Sequence, residues 1–112
     1  LVIVPVANSV LEFWSMDNFA ERFKQAQQLK EGVGGNIIGL CVFNRYNDKQ
    51  NLSKEMKEAL KQFPEFEPME TTIADRVAYK EAMMQGLGVV EYKDPKAKKE
   101  VEDLANEVEK YL

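Results

Sequence analysis

Histidine does not occur in the 112 residues, and cysteine occurs once, at Cys41. The first absence excludes His-ligated metals and Ser-His-Asp triads within this chain. The second leaves no intrachain disulfide framework, which fits a reducing cytoplasm. Cys41 itself reads as a small core hydrophobe. No apolar run approaches the ~20 residues of a membrane helix, and no secretory leader is visible. The net charge is −4, so no overall basic excess advertises nucleic acid, although local basic clusters still can. There is no G-x-x-x-x-G-K-S/T loop to cradle phosphates. The one glycine-rich stretch, G-V-G-G at Gly32 to Gly35, has no lysine and follows a helical pattern, so it reads as a turn. No internal repeat or low-complexity segment occurs. A chain of this length makes one small domain that buries roughly two thirds of its unfolded surface.

What is present is organised around Ile37 to Arg45, I-I-G-L-C-V-F-N-R. This run is almost wholly apolar and stops at Asn44-Arg45, which predicts a strand buried on both faces in the middle of a parallel sheet. In open α/β sheets ligands bind beyond the carboxyl ends of such strands. Asn44 and Arg45 therefore stand where a ligand would be. An asparagine there has two amide donors and a carbonyl acceptor, enough to clamp a purine edge as Asn does to adenine in DNA. It is also a good residue for starting a turn, and on these two residues alone the turn is the favoured reading.

The rest of the chain alternates. Leu1 to Val6 is a strand pattern beginning at the first residue, which raises the expectation that these residues are part of a longer chain. Asn8-Ser9 offers an N-cap for a helix over Leu11 to Lys30, with Met16, Phe19, Ala20, Phe23 and Ala26 inward as a core stripe; Trp14 reads either as core or as part of a cofactor site. The strand over Ile37 to Phe43 leads through a polar loop to a short helix capped by Asn51 or Ser53 and ending near Phe63. Its inward residues are Met56, Ala59, Leu60 and Phe63. Pro64 and Pro68 bracket a linker, and Met69 to Ile73 is a short strand. Asp75 is the expected N-cap of a helix over Arg76 to Gln85, with Ala78, Tyr79, Ala82 and Met83 on one face and Gly86 just past its end. Val89 to Tyr92 reads as extended. Asp94-Pro95 starts the last helix, whose apolar side is Val101, Leu104, Ala105, Val108 and Leu112. Glu102, Asp103, Glu107 and Glu109 read as its solvated face. Strands alternating with helices predict an α/β fold with a parallel sheet and right-handed crossovers, about half of a doubly wound domain.

Four segments together resemble the C-terminal half of the ParA-type partition ATPases, the deviant P-loop group that includes the septum-site MinD proteins. They are L-V-I-V-P-V-A-N-S-V-L-E-F at Leu1 to Phe13, G-L-C-V-F-N-R at Gly39 to Arg45, T-T-I-A-D-R-V-A-Y-K-E-A at Thr71 to Ala82, and G-L-G-V-V-E-Y-K-D-P-K-A-K at Gly86 to Lys98. They resemble, in order, the strand and turn after the Walker B segment, the strand ending in Asn-Arg, the Ile-Pro-x-Arg turn with its helix, and the stretch leading into the last helix. The resemblance covers essentially all 112 residues.

The resemblance implies a C-terminal portion, residues 1–112, of a three-layer P-loop NTPase-like domain. Asn44 and Arg45, with the turn Ile73, Ala74 and Asp75, would form the adenine-binding edge. Lys49 and Arg76 would be the basic residues that touch nonspecific DNA. The complete protein would use ATP or ADP with Mg2+, form a homodimer, meet a centromere-binding ParB-type adaptor and work at the nucleoid in the bacterial cytoplasm, without a membrane. Ala74 stands where many members have proline, and Glu12 where many have aspartate. The phosphate loop, its lysines and the Walker B aspartate, which carry the chemistry, are not among these residues. The chain by itself is therefore not expected to hydrolyse ATP. Two alternatives remain: a MinD-like membrane ATPase, whose last helix would need a basic polar face, and a truncated, non-catalytic interaction module.

Overall fold

The computed structural model describes residues 1–7, 10–47 and 49–112. The elements run β1 (Val2–Val6), α1 (Val10–Gly32), β2 (Gly39–Tyr46), α2 (Asn51–Ala59), a 3₁₀ turn at Leu60–Gln62, β3 (Phe66–Ala74), α3 (Val77–Met84), a second 3₁₀ turn at Val89–Glu91, and α4 (Pro95–Glu109). The strands form one all-parallel sheet in the order β1-β2-β3. The protein is thus an α/β fold with a three-stranded parallel sheet flanked by helices.

β2 is central, and this explains its composition. Successive side chains of a strand point to opposite faces. Cys41 and Phe43 enter one core, with Val6 of β1, Met16, Ala20 and Phe23 of α1, Met56 of α2, and Leu60, Phe63 and Phe66. Leu40 and Val42 enter the other, with Met69, and with Ile73, Leu104, Val108 and Tyr111 packed around them. The layers are therefore α1 and α2, then the sheet, then α4, and a strand covered on both faces needs apolar residues at consecutive positions. Gly39 opens β2 because nothing larger fits: a Cβ there would lie 2.8 Å from the Phe23 ring and 2.9 Å from the Glu65 carbonyl oxygen. Burial raises the Cys41 thiol above its ordinary value, as expected of a thiol held in apolar surroundings.

Several boundaries differ from the sequence-based expectation. β3 begins at Phe66 and runs through Pro68, where a linker was predicted. Proline is tolerated because β3 is an edge strand. Val89 to Glu91 forms a 3₁₀ turn rather than an extended segment, closed by the Gly88 N–H donating to the Glu91 carboxylate at 3.1 Å. Phe19 remains 41% exposed although it stacks on Phe23 and Phe66, and Trp14 and Met83 point outward. On α4, Ala97 is fully buried and Ala105 is exposed; beyond its end Tyr111 packs against the core and Leu112 is exposed. Asn51 does not cap α2; Gln50 stands at that position, and Ser53 is buried with its Oγ accepting the Asn47 N–H at 3.4 Å. The cap expected at Asn8-Ser9 lies outside the described residues. Asp94 behaves as expected: its Oδ1 accepts the N–H groups of Lys96 and Ala97 at 3.0 and 3.1 Å, with Pro95 opening the helix.

Candidate functional site at the carboxyl end of the sheet

The carboxyl end of β2 is irregular. Phe43 pairs with Thr72 and Tyr46 with Ala74, so three steps along β2 match two along β3. The extra residue is a bulge, and bulges re-aim side chains beside sites. Arg45 absorbs it with φ 55°, the positive-φ residue among the described non-glycine positions. Left-handed backbone costs a non-glycine residue free energy. Asn44 supports the turn: its Oδ1 accepts the Arg45 N–H at 3.0 Å. This satisfies one carbonyl lone pair, and among the described residues the Asn44 amide nitrogen has no hydrogen-bond partner. Asn44 thus lies inside β2, two residues before its end at Tyr46, and braces the irregular backbone there.

β3 ends beside it. The Asp75 N–H donates to the Tyr46 carbonyl oxygen at 3.3 Å, tying the two strand ends together. α3 then starts with Arg76, in extended conformation, at the N-cap position and without a side-chain cap bond. The predicted cap at Asp75 is therefore displaced by one residue, and the Asp75 side chain stays exposed. Gly86, at φ 70°, turns the chain just after α3, as its glycine predicts.

Between these segments lies a cavity of about 490 Å³, within the usual size of small-molecule sites. Asn44 and Arg45 form one side and Ile73, Ala74, Asp75 and Arg76 the floor; Tyr79, Lys80, Met83 and Met84 of α3 form the far wall. The five residues assigned by resemblance to a base edge thus meet at one concavity. Lys49 does not join them. It lies exposed in the turn before α2, its N–H donating to Asn47 Oδ1 at 3.0 Å. Arg76 does line the cavity, but its guanidinium is engaged: Nη2 lies 2.8 Å and Nε 3.0 Å from Glu100 Oε1. This pairing, before any other cause, raises the Arg76 pKa further.

Glu100 and the α3 wall are the parts that sequence reasoning missed. Glu100 also accepts the Tyr79 hydroxyl at 2.7 Å and the Ala74 N–H at 3.4 Å through Oε2. Burial, and then this bond to a carboxylate, push the Tyr79 phenol well above its ordinary value. A usable signal existed in the seven-residue spacing of Glu100 and Glu107, two helical turns apart and therefore on one side of α4. By contrast, Lys98–Glu102 and Lys99–Asp103 are exposed i,i+4 pairs at 3.9 and 2.7 Å, as the solvated-face reading expects. A second cavity of about 830 Å³ lies between α3 and the start of α4; it shares Asp75 and Arg76 but contains no β2 residue.

Among the described residues, no group of three or more acidic or cysteine side chains is arranged to hold a metal ion, and no helix is long and apolar enough to cross a membrane. No protein-family model and no curated protein matches the chain.

Proposed function

We propose that the chain is the C-terminal part of a ParA-type DNA-partition ATPase and that the Asn44 cavity receives the adenine end of the nucleotide. The observation that supports this reading best is convergence. Asn44, Arg45, Ile73, Ala74 and Asp75 come from two strands separated by a helix, yet they line one cavity at the carboxyl ends of those strands. That is where open α/β sheets bind ligands. The chemistry suits a purine: an asparagine amide for the ring edge, and Ile73 and Met83 as apolar surface for the ring faces. The bulge and the left-handed Arg45 are local costs of the kind that accumulate at ligand sites.

The division of labour follows. These residues bind and orient the base, and the phosphates and Mg2+ belong to the phosphate loop of the complete protein. The fit therefore concerns the base end alone. In that setting the protein is an ATP-dependent dimer that binds nucleoid DNA in the cytoplasm and meets a ParB-type adaptor. The membrane-bound MinD-like alternative is disfavoured by α4, where Lys96, Lys98 and Lys99 are interleaved with Glu100, Glu102, Asp103, Glu107 and Glu109. An interfacial helix needs a mainly basic polar face.

Titration calorimetry with ATP and GTP tests the site. Asn44→Ala is expected to weaken ATP binding by about 1–3 kcal/mol, the cost of stranding a polar partner, and to narrow the preference for ATP over GTP. Unchanged ATP affinity in a folded variant would falsify the assignment. The open outer edge of β1 favours a second reading, a non-catalytic interaction module that pairs with intact copies. Self-association without any nucleotide binding would select it.

A further inference from the structure

Three residues that line the Asn44 cavity share one partner that does not line it. Ala74, Arg76 and Tyr79 all donate to Glu100, on α4. One oxygen takes both Arg76 nitrogens, at 3.0 and 2.8 Å; the other takes the Tyr79 hydroxyl at 2.7 Å and the Ala74 N–H at 3.4 Å. The Arg76 and Glu100 side chains are only 29% and 17% exposed, so the contact is partly desolvated, and charge-assisted bonds in such places are strong.

This arrangement has a consequence for what the cavity accepts. Arg76 brings a positive charge to its floor, and an unpaired guanidinium there would recruit phosphate through its fork of donors. Glu100 cancels that charge and occupies the Tyr79 donor as well. The floor is left electrically quiet, and Asn44 lines the same cavity. Such a site favours an uncharged ring over an anion at this position. Glu100 also belongs to a different element from every cavity residue, so the shape of the floor depends on α4 being docked.

We propose that Glu100 is the positioning and specificity-determining residue of the cavity: from α4 it holds Arg76, Tyr79 and the Ala74 turn so that the site takes a nucleobase and not a phosphate. The proposal rests on the base-site reading above.

Adenosine and AMP are the probes, measured by calorimetry on the wild-type chain, on Glu100→Gln and on Glu100→Gln/Arg76→Gln. Glutamine keeps the volume and removes the charge. In Glu100→Gln the AMP-to-adenosine affinity ratio is expected to rise about tenfold, the worth of a newly available charge-assisted bond, and the double variant is expected to return it to the wild-type value. A purely structural Glu100 lowers both affinities together and leaves the ratio unchanged; that result overturns the proposal. Exchange of the Arg76 Nε–H with water, followed by NMR without ligand, is expected to be slow in the wild type and fast in Glu100→Gln. Equal exchange also overturns the proposal. If the wild type binds neither probe but Arg76 loses its protection in Glu100→Gln, the base-site reading falls while the hold of Glu100 on the floor stands.

Discussion

Glu107 accepts both the hydroxyl and the backbone N–H of Thr71 through one oxygen, at 2.7 and 2.8 Å, and takes the Glu70 N–H at 2.8 Å through the other. Two adjacent amides of a regular strand point to opposite sides, so one carboxylate cannot ordinarily reach both. β3 is irregular at this point: Cys41 pairs with Pro68 and Phe43 with Thr72, so β3 spends four steps where β2 spends two. The bulge turns both amides outward, and α4 brings Glu107 over the edge that results. The outer edge of the sheet is thereby closed here by a side chain rather than by another strand.

Glu107→Ala is expected to destabilise the fold by about 1–2 kcal/mol, because the Thr71 donors are partly buried and would lose a charged acceptor. Urea denaturation should show a lower midpoint with an unchanged slope. An unchanged midpoint would mean that water replaces the carboxylate at no cost.

The same contact makes stability depend on pH. Burial pushes the Glu107 carboxyl up, but the bonds from Thr71 and Glu70 outweigh burial and hold it below its ordinary value. The folded state thus binds a proton less readily than the unfolded chain. Its stabilisation is complete above the unfolded carboxyl value of about 4.3 and is lost as pH falls through the lower folded value. Thermal melts from pH 6 to pH 3 should show the advantage of the wild type over Glu107→Gln shrinking across the acid end of that range. A constant difference would contradict the assignment.

Arg45→Gly separates local strain from function. Glycine accepts φ 55° without steric cost, so the variant is expected to be more stable by up to about 1 kcal/mol. It should also bind adenine nucleotides more weakly, because the rim of the cavity loses a side chain. A variant that gains stability and keeps full affinity would show that Arg45 only makes the turn.

The two basic residues matched to DNA contacts should now behave differently. Lys49 is exposed and belongs to none of the ion pairs among the described residues, whereas Arg76 is committed to Glu100. If the chain binds DNA, Lys49→Ala should reduce the salt slope of binding by about one. Arg76→Ala should leave the slope nearly unchanged and lower stability instead, since it strands a partly buried carboxylate. Filter binding over a salt series, paired with melts, decides; a full unit lost from the slope in Arg76→Ala would mean that DNA displaces Glu100.

The opposite edge of the sheet is open. Among the described residues β1 pairs with β2 alone, and Leu1 and Ile3 remain 45% and 38% exposed because α4 covers β2 and β3 and not β1. An unpaired apolar edge is a template for a further strand, so the isolated chain is expected to self-associate through β1. Pro5 limits how far such pairing can run. Sedimentation at micromolar concentration should show concentration-dependent association that Ile3→Lys reduces. A monodisperse wild-type monomer would show the edge to be tolerated.

The sequence by itself determined the alternation of strands and helices, the central place of the Ile37 to Phe43 segment and the sharp start of α4. Each of these rests on local rules. A strand covered on both faces must be apolar at consecutive positions, and Asp94-Pro95 caps a helix wherever it lies. It also marked Asn44 and the Ile73 to Asp75 turn, because strand ends in an alternating chain are predictable points. What only the tertiary structure decided is how those ends are shaped and held. The two bulges arise from pairing between strands far apart in the chain, and no local pattern around Arg45 or Glu70 announces them. Arg76 reads as a free surface cation and Glu107 as a solvated carboxylate until α4 is laid against β3. Glu100 then meets Arg76 and Tyr79, and Glu107 meets Thr71, across separations of 21 to 36 residues. Charge pairing of that range is set by where the helix packs, which its apolar stripe dictates and its charged residues do not.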